Sequence, residues 1–365
     1  MKGSRALLQM LEDKGVETMF GYPGGSVIPL YDEIPNSSIR HVLVRHEQCA
    51  GHAADGYARA SGRTGVCLST SGPGATNMVT GVATAYADSV PMLALTGQVG
   101  SGLLGSDAFQ EVDAYSLMMP ITKHNFRVTD INRLPHAVDE AWQIARTGRP
   151  GPVHIDLPVD QFNAEIDESL LKNTYGIKPL GEDFSQIPDA ARLIRESSKP
   201  VIMAGGGVIS AEASEELIRL AERISAPVVT PLMGIGSIPS SHPLCMGALG
   251  MHGRMCATEI FSDADLVIAV GTKFSDRTYS PHTKPADHCK VIQFDIDANQ
   301  LGRSGRASVN LLGDAKKGLR LLTDAVSTPT AHKAWDDKVR KAKARCTCSF
   351  DYVTSPIIPQ KVTIP

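Results

Sequence analysis

Long apolar runs are missing from this sequence: none approaches the roughly 18 residues that a membrane helix needs. The opening Met1-Lys-Gly-Ser-Arg5 leads straight into an amphipathic stretch and shows no signal-peptide core and no transit peptide. The expectation is a cytoplasmic chain without a membrane partner. An excess of one charge is missing too. Lys and Arg number 36 against 39 Asp and Glu, for a net charge of −3, and the basic residues form no patch. That gives no electrostatic reason to expect nucleic acid. Aromatics are scarce at 5%. The seven cysteines are an odd number, and the Cys346-x-Cys348 pair fits no zinc-ligand spacing. Reduced thiols are the plain reading. His41, His46, His52 and His124 form no metal spacing either, and His52, on an Ala/Gly-rich helix face, reads as a packed histidine.

What the chain does have is glycine, 33 of 365 residues, in an otherwise ordinary globular composition of 42% hydrophobic and 21% charged residues. Many glycines mean tight turns or close approaches of backbone to ligand. The length suggests two or three domains. Strand and helix signals alternate through the first half. Helix 4–14, strand 18–20, strand 41–45, helix 47–61, strand 65–70, helix 74–86, strand 91–96, helix 134–146 and strand 153–156 follow in order. Such alternation predicts α/β architecture, a doubly wound and mainly parallel sheet. Residues 164–188 lose the periodicity and read as a linker. A second alternating block follows: strand 200–204, helix 211–225, strands 227–230, 266–270 and 291–295, and helix 314–325. A charged helix at 331–345 leads into a Pro-rich end.

Chemistry concentrates in a few segments. Ser69-Thr-Ser-Gly-Pro-Gly-Ala-Thr-Asn77 follows a buried strand and opens a helix. Gly72 and Gly74 allow close backbone approach, and the helix start offers free N–H groups. It lacks the Lys of a P-loop, and turn chemistry alone is an equally good account. Tyr22-Pro-Gly-Gly25 is a second glycine turn at a strand's C-terminal end, where ligands of open parallel sheets sit. Glu47 begins a helix. It is either a dipole partner or a buried acid suited to proton transfer. Phe109 and Gln110 end a glycine-rich loop able to close over a site. In the second block, Gly205-Gly-Gly207, Leu249-Gly-Met-His-Gly-Arg254, the turn from Gly271 to Arg277 and the strand-end Asp295 together favour a bound nucleotide.

Taken in order, these motifs resemble one family. They are Phe20-Gly-Tyr-Pro-Gly-Gly25, Arg45-His-Glu-Gln48, Thr70-Ser-Gly-Pro-Gly-Ala-Thr-Asn77, Gly97-Gln-Val99, Asp107-Ala-Phe-Gln-Glu111, Ile121-Thr-Lys-His-Asn-Phe126 and Thr147-Gly-Arg-Pro-Gly-Pro152. The resemblance is to the large, catalytic subunit of the acetolactate (acetohydroxyacid) synthases, which are thiamine-diphosphate enzymes. It implies two doubly wound domains. Residues 1–163 would be the pyrimidine-binding domain, 164–188 the linker, 189–325 a central FAD-type domain, and 326–365 a helix and the stub of a third. The implied reaction joins pyruvate, after loss of CO2, to a second 2-oxo acid, pyruvate or 2-oxobutyrate, in branched-chain amino acid biosynthesis. Glu47 matches the glutamate that bonds N1' of the aminopyrimidine. Tyr22, Gly24, Gly72, Gly74 and Asn77 match turns around thiamine diphosphate. Phe109, Gln110 and Lys123 match residues near the substrate. Arg149, Gly205, Gly206, Gly207, Met251, His252, Gly253, Gly271, Asp276, Arg277, Asp295 and Asp314 fall on flavin-contact motifs.

The chain departs from the family pattern at Lys273, usually Arg, at Gly100, usually Pro, and at Pro231, usually Thr. The family's Gly-Asp-Gly motif, which holds Mg2+ and the diphosphate, is not in this sequence, and Ile358-Pro-Gln-Lys-Val362 resembles the start of the domain that carries it. The expectation is that Mg2+ ligands lie outside this chain and that the chain alone is inactive. The family also implies at least a homodimer and allows a regulatory small subunit. Another thiamine-diphosphate carboligase or decarboxylase, or a non-catalytic nucleotide-binding module, stands as the alternative.

Overall fold

The computed structural model describes residues 1–172, 175–176, 181–278, 285, 287–303, 307–326 and 332–346. Cys348 and the Ile358–Val362 string lie outside them. The chain divides into two compact units, Met1–Leu180 and Gly181–Pro365.

Six parallel strands build the first unit: β1 (Thr18–Gly21), β2 (Arg40–Leu43), β3 (Gly65–Ser69), β4 (Met92–Gln98), β5 (His124–Arg127) and β6 (Pro152–Pro158). Their spatial order is β2-β1-β3-β4-β6-β5. Strands β3, β4 and β6 are buried along their whole length, because helices cover both faces of the sheet. The helix Gly3–Asp13 turns Ala6, Leu7, Leu8, Met10 and Leu11 inward. Burying each of its leucines contributes about 1.5–3 kcal/mol. Gly15, at φ +77°, follows the helix end in a conformation that a side chain resists.

Helices Glu47–Ser61 and Pro73–Asp88 follow β2 and β3 and pack against each other. They touch backbone to backbone. A Cβ on Gly81 would stand 2.7 Å from the Gly51 Cα. Apolar periodicity predicts both helices; the glycine pair sets how close they come.

The second unit holds β7 (Pro200–Ala204), β8 (Val228–Thr230), β9 (Cys245–Ala248), β10 (Leu266–Val270), β11 (Lys290–Asp295) and β12 (Ala307–Leu312). The order β12-β11-β10-β7-β8-β9, all parallel, reverses direction between β7 and β10. It is the doubly wound arrangement of dinucleotide-binding sheets.

Several expectations need correction. Strands β5, β9 and β12, unmarked in the sequence reading, are all sheet edges. An edge strand carries polar residues and breaks the apolar run that reveals a central strand, as His124, Asn125 and Arg127 do in β5. The helix Met255–Ser262 was missed as well. The helix expected over 211–225 is two, Gly206–Ser210 and Ser214–Arg223, broken at Glu212, φ +50°. Val208, Ala213, Leu217 and Leu220 all face one core, so the apolar periodicity runs through the break. His52 is exposed, because the buried face of its helix is Ala50, Gly51, Ala54, Asp55 and Ala58. The helix Lys333–Arg345, expected outside the central block, packs Trp335, Val339 and Ala342 into the second unit's core, and the Trp335 indole donates to the Pro200 carbonyl at 3.1 Å. Residues 164–172 bind back to the first unit through Ile166 and the Glu165–Lys2 bridge, and Asp183 pairs with Leu312 of the second. No helix among the described residues is long and apolar enough to cross a membrane.

Replacing Gly81 by Val should force the two helices apart and lower unfolding free energy by about 2 kcal/mol or more, as overpacking does. A urea midpoint unchanged from the parent chain would contradict the close crossing.

Candidate active site

The first unit's site lies at the C-terminal edge of its sheet, where the strand order switches between β1 and β3. Two glycine turns meet there. A Cβ on Gly24 would fall 2.5 Å from the Thr70 Cβ, so residue 24 has no room for a side chain. Ser26 laces the turns together: its hydroxyl lies 2.9 Å from the Thr70 hydroxyl and accepts from the Ser71 amide at 2.9 Å. Gly72 adopts φ 55°, ψ −117°, a backbone open only to glycine. It is also crowded: a Cβ would sit 2.4 Å from the Gln110 carbonyl oxygen.

Glu47 opens its helix at 8% exposure. The Asn77 amide, from the neighbouring helix, donates to its Oε2 at 2.9 Å. Oε1 has no hydrogen-bond partner among the described residues, and Gly74 stands beside it, where a Cβ would come within 3.4 Å. The arrangement presents one fixed and one open carboxylate oxygen in a nearly dry place. Glu47 is thus at once a helix opener and a buried carboxylate.

Glu47, Asn77, Gly24, Gly72, Gly74 and the Gln110 backbone therefore converge. Tyr22 lies on the first turn, 39% exposed. Phe109, 88% exposed, and Gln110, φ 58°, form the tip of the loop that leaves β4. Lys123 is elsewhere. Its amide bonds the Pro152 carbonyl at the N-terminal end of β6, and its ammonium reaches the carbonyls of Ile144 and Thr147, at 2.7 Å for the latter. That is the opposite edge of the sheet from Glu47. Arg149 shares that edge and donates to the Ser89 hydroxyl at 2.8 Å.

Sequence reasoning missed two polar groups. Tyr31 meets the His41 imidazole at 3.0 Å. Burial, with the Glu47 charge adding to it, raises the Tyr31 phenol above its ordinary range. The second group is a column of polar residues on one face of β4, β6 and β5: Thr96, Gln98, His154, Asp156 and Arg127. Asp156, fully buried, accepts from the Thr96 hydroxyl at 2.7 Å, from Gln98 at 3.3 Å and from the Arg127 Nε at 3.1 Å. Its burial raises its pKa, against these three partners. The signal was present in the sequence, since Thr96 and Gln98, and His154 and Asp156, alternate inside apolar strands.

In the second unit the cradle is again glycine on glycine at the strand-order switch. A Cβ on Gly205 would lie 2.2 Å from the Gly271 oxygen and one on Gly207 2.6 Å from the Gly271 Cα. Gly206 faces Met233, and Gly271 itself takes φ +54°. Along the same edge, the Met251 amide donates to the Arg277 carbonyl at 2.9 Å, and Met251, His252, Asp276 and Arg277 are exposed. Gly253 packs on the Ala248 carbonyl. Asp295 ends β11 nearly buried and accepts from the Asp297 amide at 3.0 Å. Asp314 caps the helix Ala315–Ala325 through the Lys317 amide at 3.0 Å, a bond that occupies one of its carboxylate oxygens. Among the described residues no group of three or more His, Cys, Asp or Glu could hold a metal ion.

Residues 1–117 match the N-terminal TPP binding domain of thiamine pyrophosphate enzymes, and residues 187–322 match their central domain. The chain belongs to the thiamine pyrophosphate enzyme family. More particularly, it is similar to acetolactate synthase large subunits. A probable one from Methanocaldococcus jannaschii is 49% identical over 99% of this chain and 62% of its own length. One from Corynebacterium glutamicum is 47% identical over 96% and 57%, and one from Haemophilus influenzae 41% over 99% and 65%. The chain thus spans about three fifths of the length of the curated relatives it matches.

The column makes a pH prediction. The Thr96 hydroxyl, donating to Asp156, must accept from His154 Nε2–H at 2.8 Å, which leaves the buried Nδ1 without a partner among the described residues. Burial, reinforced by the Arg127 charge, pushes His154 down to about 3. An unfolded histidine titrates near 6.5. The unfolded chain therefore takes up a proton that the folded chain refuses, and stability present above about pH 6.5 is lost as pH falls toward 3. In His154→Gln, the slope of unfolding free energy between pH 6.5 and 4.5 should flatten by about one proton, ~1.4 kcal/mol per pH unit. An identical slope in both proteins would show that His154 titrates normally.

Proposed function

We propose that this chain supplies the pyrimidine-binding and central domains of an acetolactate synthase large subunit, for decarboxylating condensation of pyruvate with pyruvate or 2-oxobutyrate. The observation that carries this reading is the Glu47 carboxylate, anchored at one oxygen by Asn77 and open at the other between glycine turns. That cradle fits thiamine diphosphate: it offers a buried acceptor to a ring nitrogen and no side chain where a flat ring must approach. When bound, thiamine diphosphate supplies the electron sink for decarboxylation and carbon–carbon bond formation.

The chain's own part is proton control and exclusion. Glu47 takes and returns a proton at Oε1, while Asn77 keeps Oε2 from rotating into that role. Gly24, Gly72 and Gly74 keep the approach clear, with Tyr22 beside them. Phe109 and Gln110 shield the reacting carbon from water. Lys123, at the far edge of its own sheet, would act on substrate only across a subunit boundary, which fits a homodimer. In the second unit the Gly205–Gly207 and Gly271 crossing fits the phosphates of FAD. Met251, His252, Gly253, Asp276, Arg277 and Asp295 would line the rest of it, with Asp314 as a further candidate. Mg2+ would be held by residues other than those described. The relatives are named large subunits, which supports a regulatory small subunit as partner, and a cytoplasmic, branched-chain biosynthetic role goes with the whole.

In the complete enzyme, Glu47→Gln should slow deuterium exchange at the reactive carbon of bound thiamine diphosphate by at least about a hundredfold, the usual reach of general acid–base catalysis, while leaving folding intact. An exchange rate equal to the parent's would remove Glu47 from this role.

A further inference from the structure

The loop from Val99 to Asp113 carries Phe109 and Gln110, and the structure shows what holds it. Its outgoing leg is pinned by Asp160, whose Oδ1 accepts from the Ser101 amide at 2.8 Å and from the Ser101 hydroxyl at 3.2 Å. Its tip is closed by Glu111, which accepts from the amides of Gly105 and of Ala108, the latter at 3.2 Å. Two non-glycine residues near the tip, Asp107 and Gln110, take positive φ angles of 57° and 58°. Side chains resist that conformation, so it persists only where the surroundings impose it.

The return leg is held from below by the buried column. One amide group, Gln98 Nε2, donates both to Asp156 Oδ2 at 3.3 Å and to the Val112 carbonyl at 2.8 Å. One guanidinium, Arg127, bonds Asp156 through Nε at 3.1 Å and reaches Asp113 through Nη2. A third strand residue, Asn125, donates to the Tyr115 carbonyl at 2.9 Å. The single fully buried carboxylate of Asp156 thus orients two donors, and each donor continues to one of two consecutive loop residues. Burying a carboxylate costs several kcal/mol and adds little stability over an apolar packing of the same volume. What it does confer here is direction, fixing both forks that end on the loop. Two residues upstream of the anchor, the Gln110 carbonyl rests against Gly72, the residue before the helix that carries Asn77.

We propose that Gln98, Asp156 and Arg127 form a positioning device that sets where the Phe109–Gln110 tip lies over the Gly72 turn, and so governs substrate binding without taking part in proton transfer at Glu47. The inference rests on the function proposed above for that site. None of the three is a catalytic residue, since each acts only through the loop.

The test is made on the intact protein with thiamine diphosphate, Mg2+ and FAD, with pyruvate as the substrate probe. Arg127→Met should raise KM for pyruvate about tenfold, the scale of a small misplacement, with kcat within about twofold. Deuterium exchange at the cofactor's reactive carbon should not change. Arg127→Lys, which keeps the charge but loses the fork, should recover part of the loss. Backbone amide exchange across 99–113 should quicken about tenfold in Arg127→Met and in Gln98→Met, while amides of 47–61 keep their parent rates. An unchanged KM, or kcat and KM failing together with amides of 47–61 exchanging faster, would overturn the proposal. If the complete enzyme, with Mg2+ and its diphosphate-holding residues present, lacks carboligase activity, the preceding reading fails, and amide exchange then decides the anchor alone: faster exchange confined to 99–113 supports it, and unchanged exchange overturns it.

Discussion

Two glycines facing each other make the rest of the first unit possible. Gly51 and Gly81 let the helices that follow β2 and β3 meet backbone to backbone. Glu47 lies four residues before Gly51, and Asn77 four residues before Gly81. Four residues are close to one helical turn, so the contact that fixes the crossing also fixes the pair one turn above it. The 2.9 Å bond between Asn77 and Glu47 follows from that geometry. A larger residue at either crossing position would move the carboxylate without touching it.

The same economy recurs in the second unit. Gly205, Gly207 and Gly271 bring the ends of β7 and β10 into contact, and Gly234 meets the Ala204 carbonyl nearby, where a Cβ would lie 2.0 Å away. The second unit's crossing stands at the C-terminal edge, where a parallel sheet exposes loop backbone and helix starts. The glycines exclude side chains from the surface that a cofactor would use. Around the first unit's crossing, charge is placed sparingly. Glu47 is nearly buried with one partner, and Asp156 is fully buried with three. The first is left with an open oxygen, as the proposed proton transfer requires. The second is saturated, as a fixed anchor requires.

Much of this was legible in the sequence. The central strands announce themselves as short apolar runs because both their faces are covered, and helices 47–61 and 134–146 match their periodicity to the residue. Glu47 and the glycine turns were visible because few residue types permit what those positions do. Of the four edge strands only β2 was legible, at 41–45; one exposed side lets β5 carry His, Asn and Arg. The surroundings of Lys123 and Asp314 were not legible either. A motif gives order along the chain, whereas the sheet edge on which a side chain ends, or the helix amide it caps, depends on strand polarity and local turns. The polar column could have been found, because alternate polar residues in a buried strand need partners, but its anchoring of the 99–113 loop emerges only from tertiary structure.

On the proposed function, the helix crossing positions Glu47 for proton exchange. A double-mutant cycle on Gly81→Ala and Glu47→Gln, read by deuterium exchange at the reactive carbon of bound thiamine diphosphate, tests it most directly. Strong coupling is expected: Gly81→Ala slows exchange in the parent but changes little once Glu47 is Gln. Additive effects, or a Gly81→Ala protein exchanging at the parent rate, would contradict it.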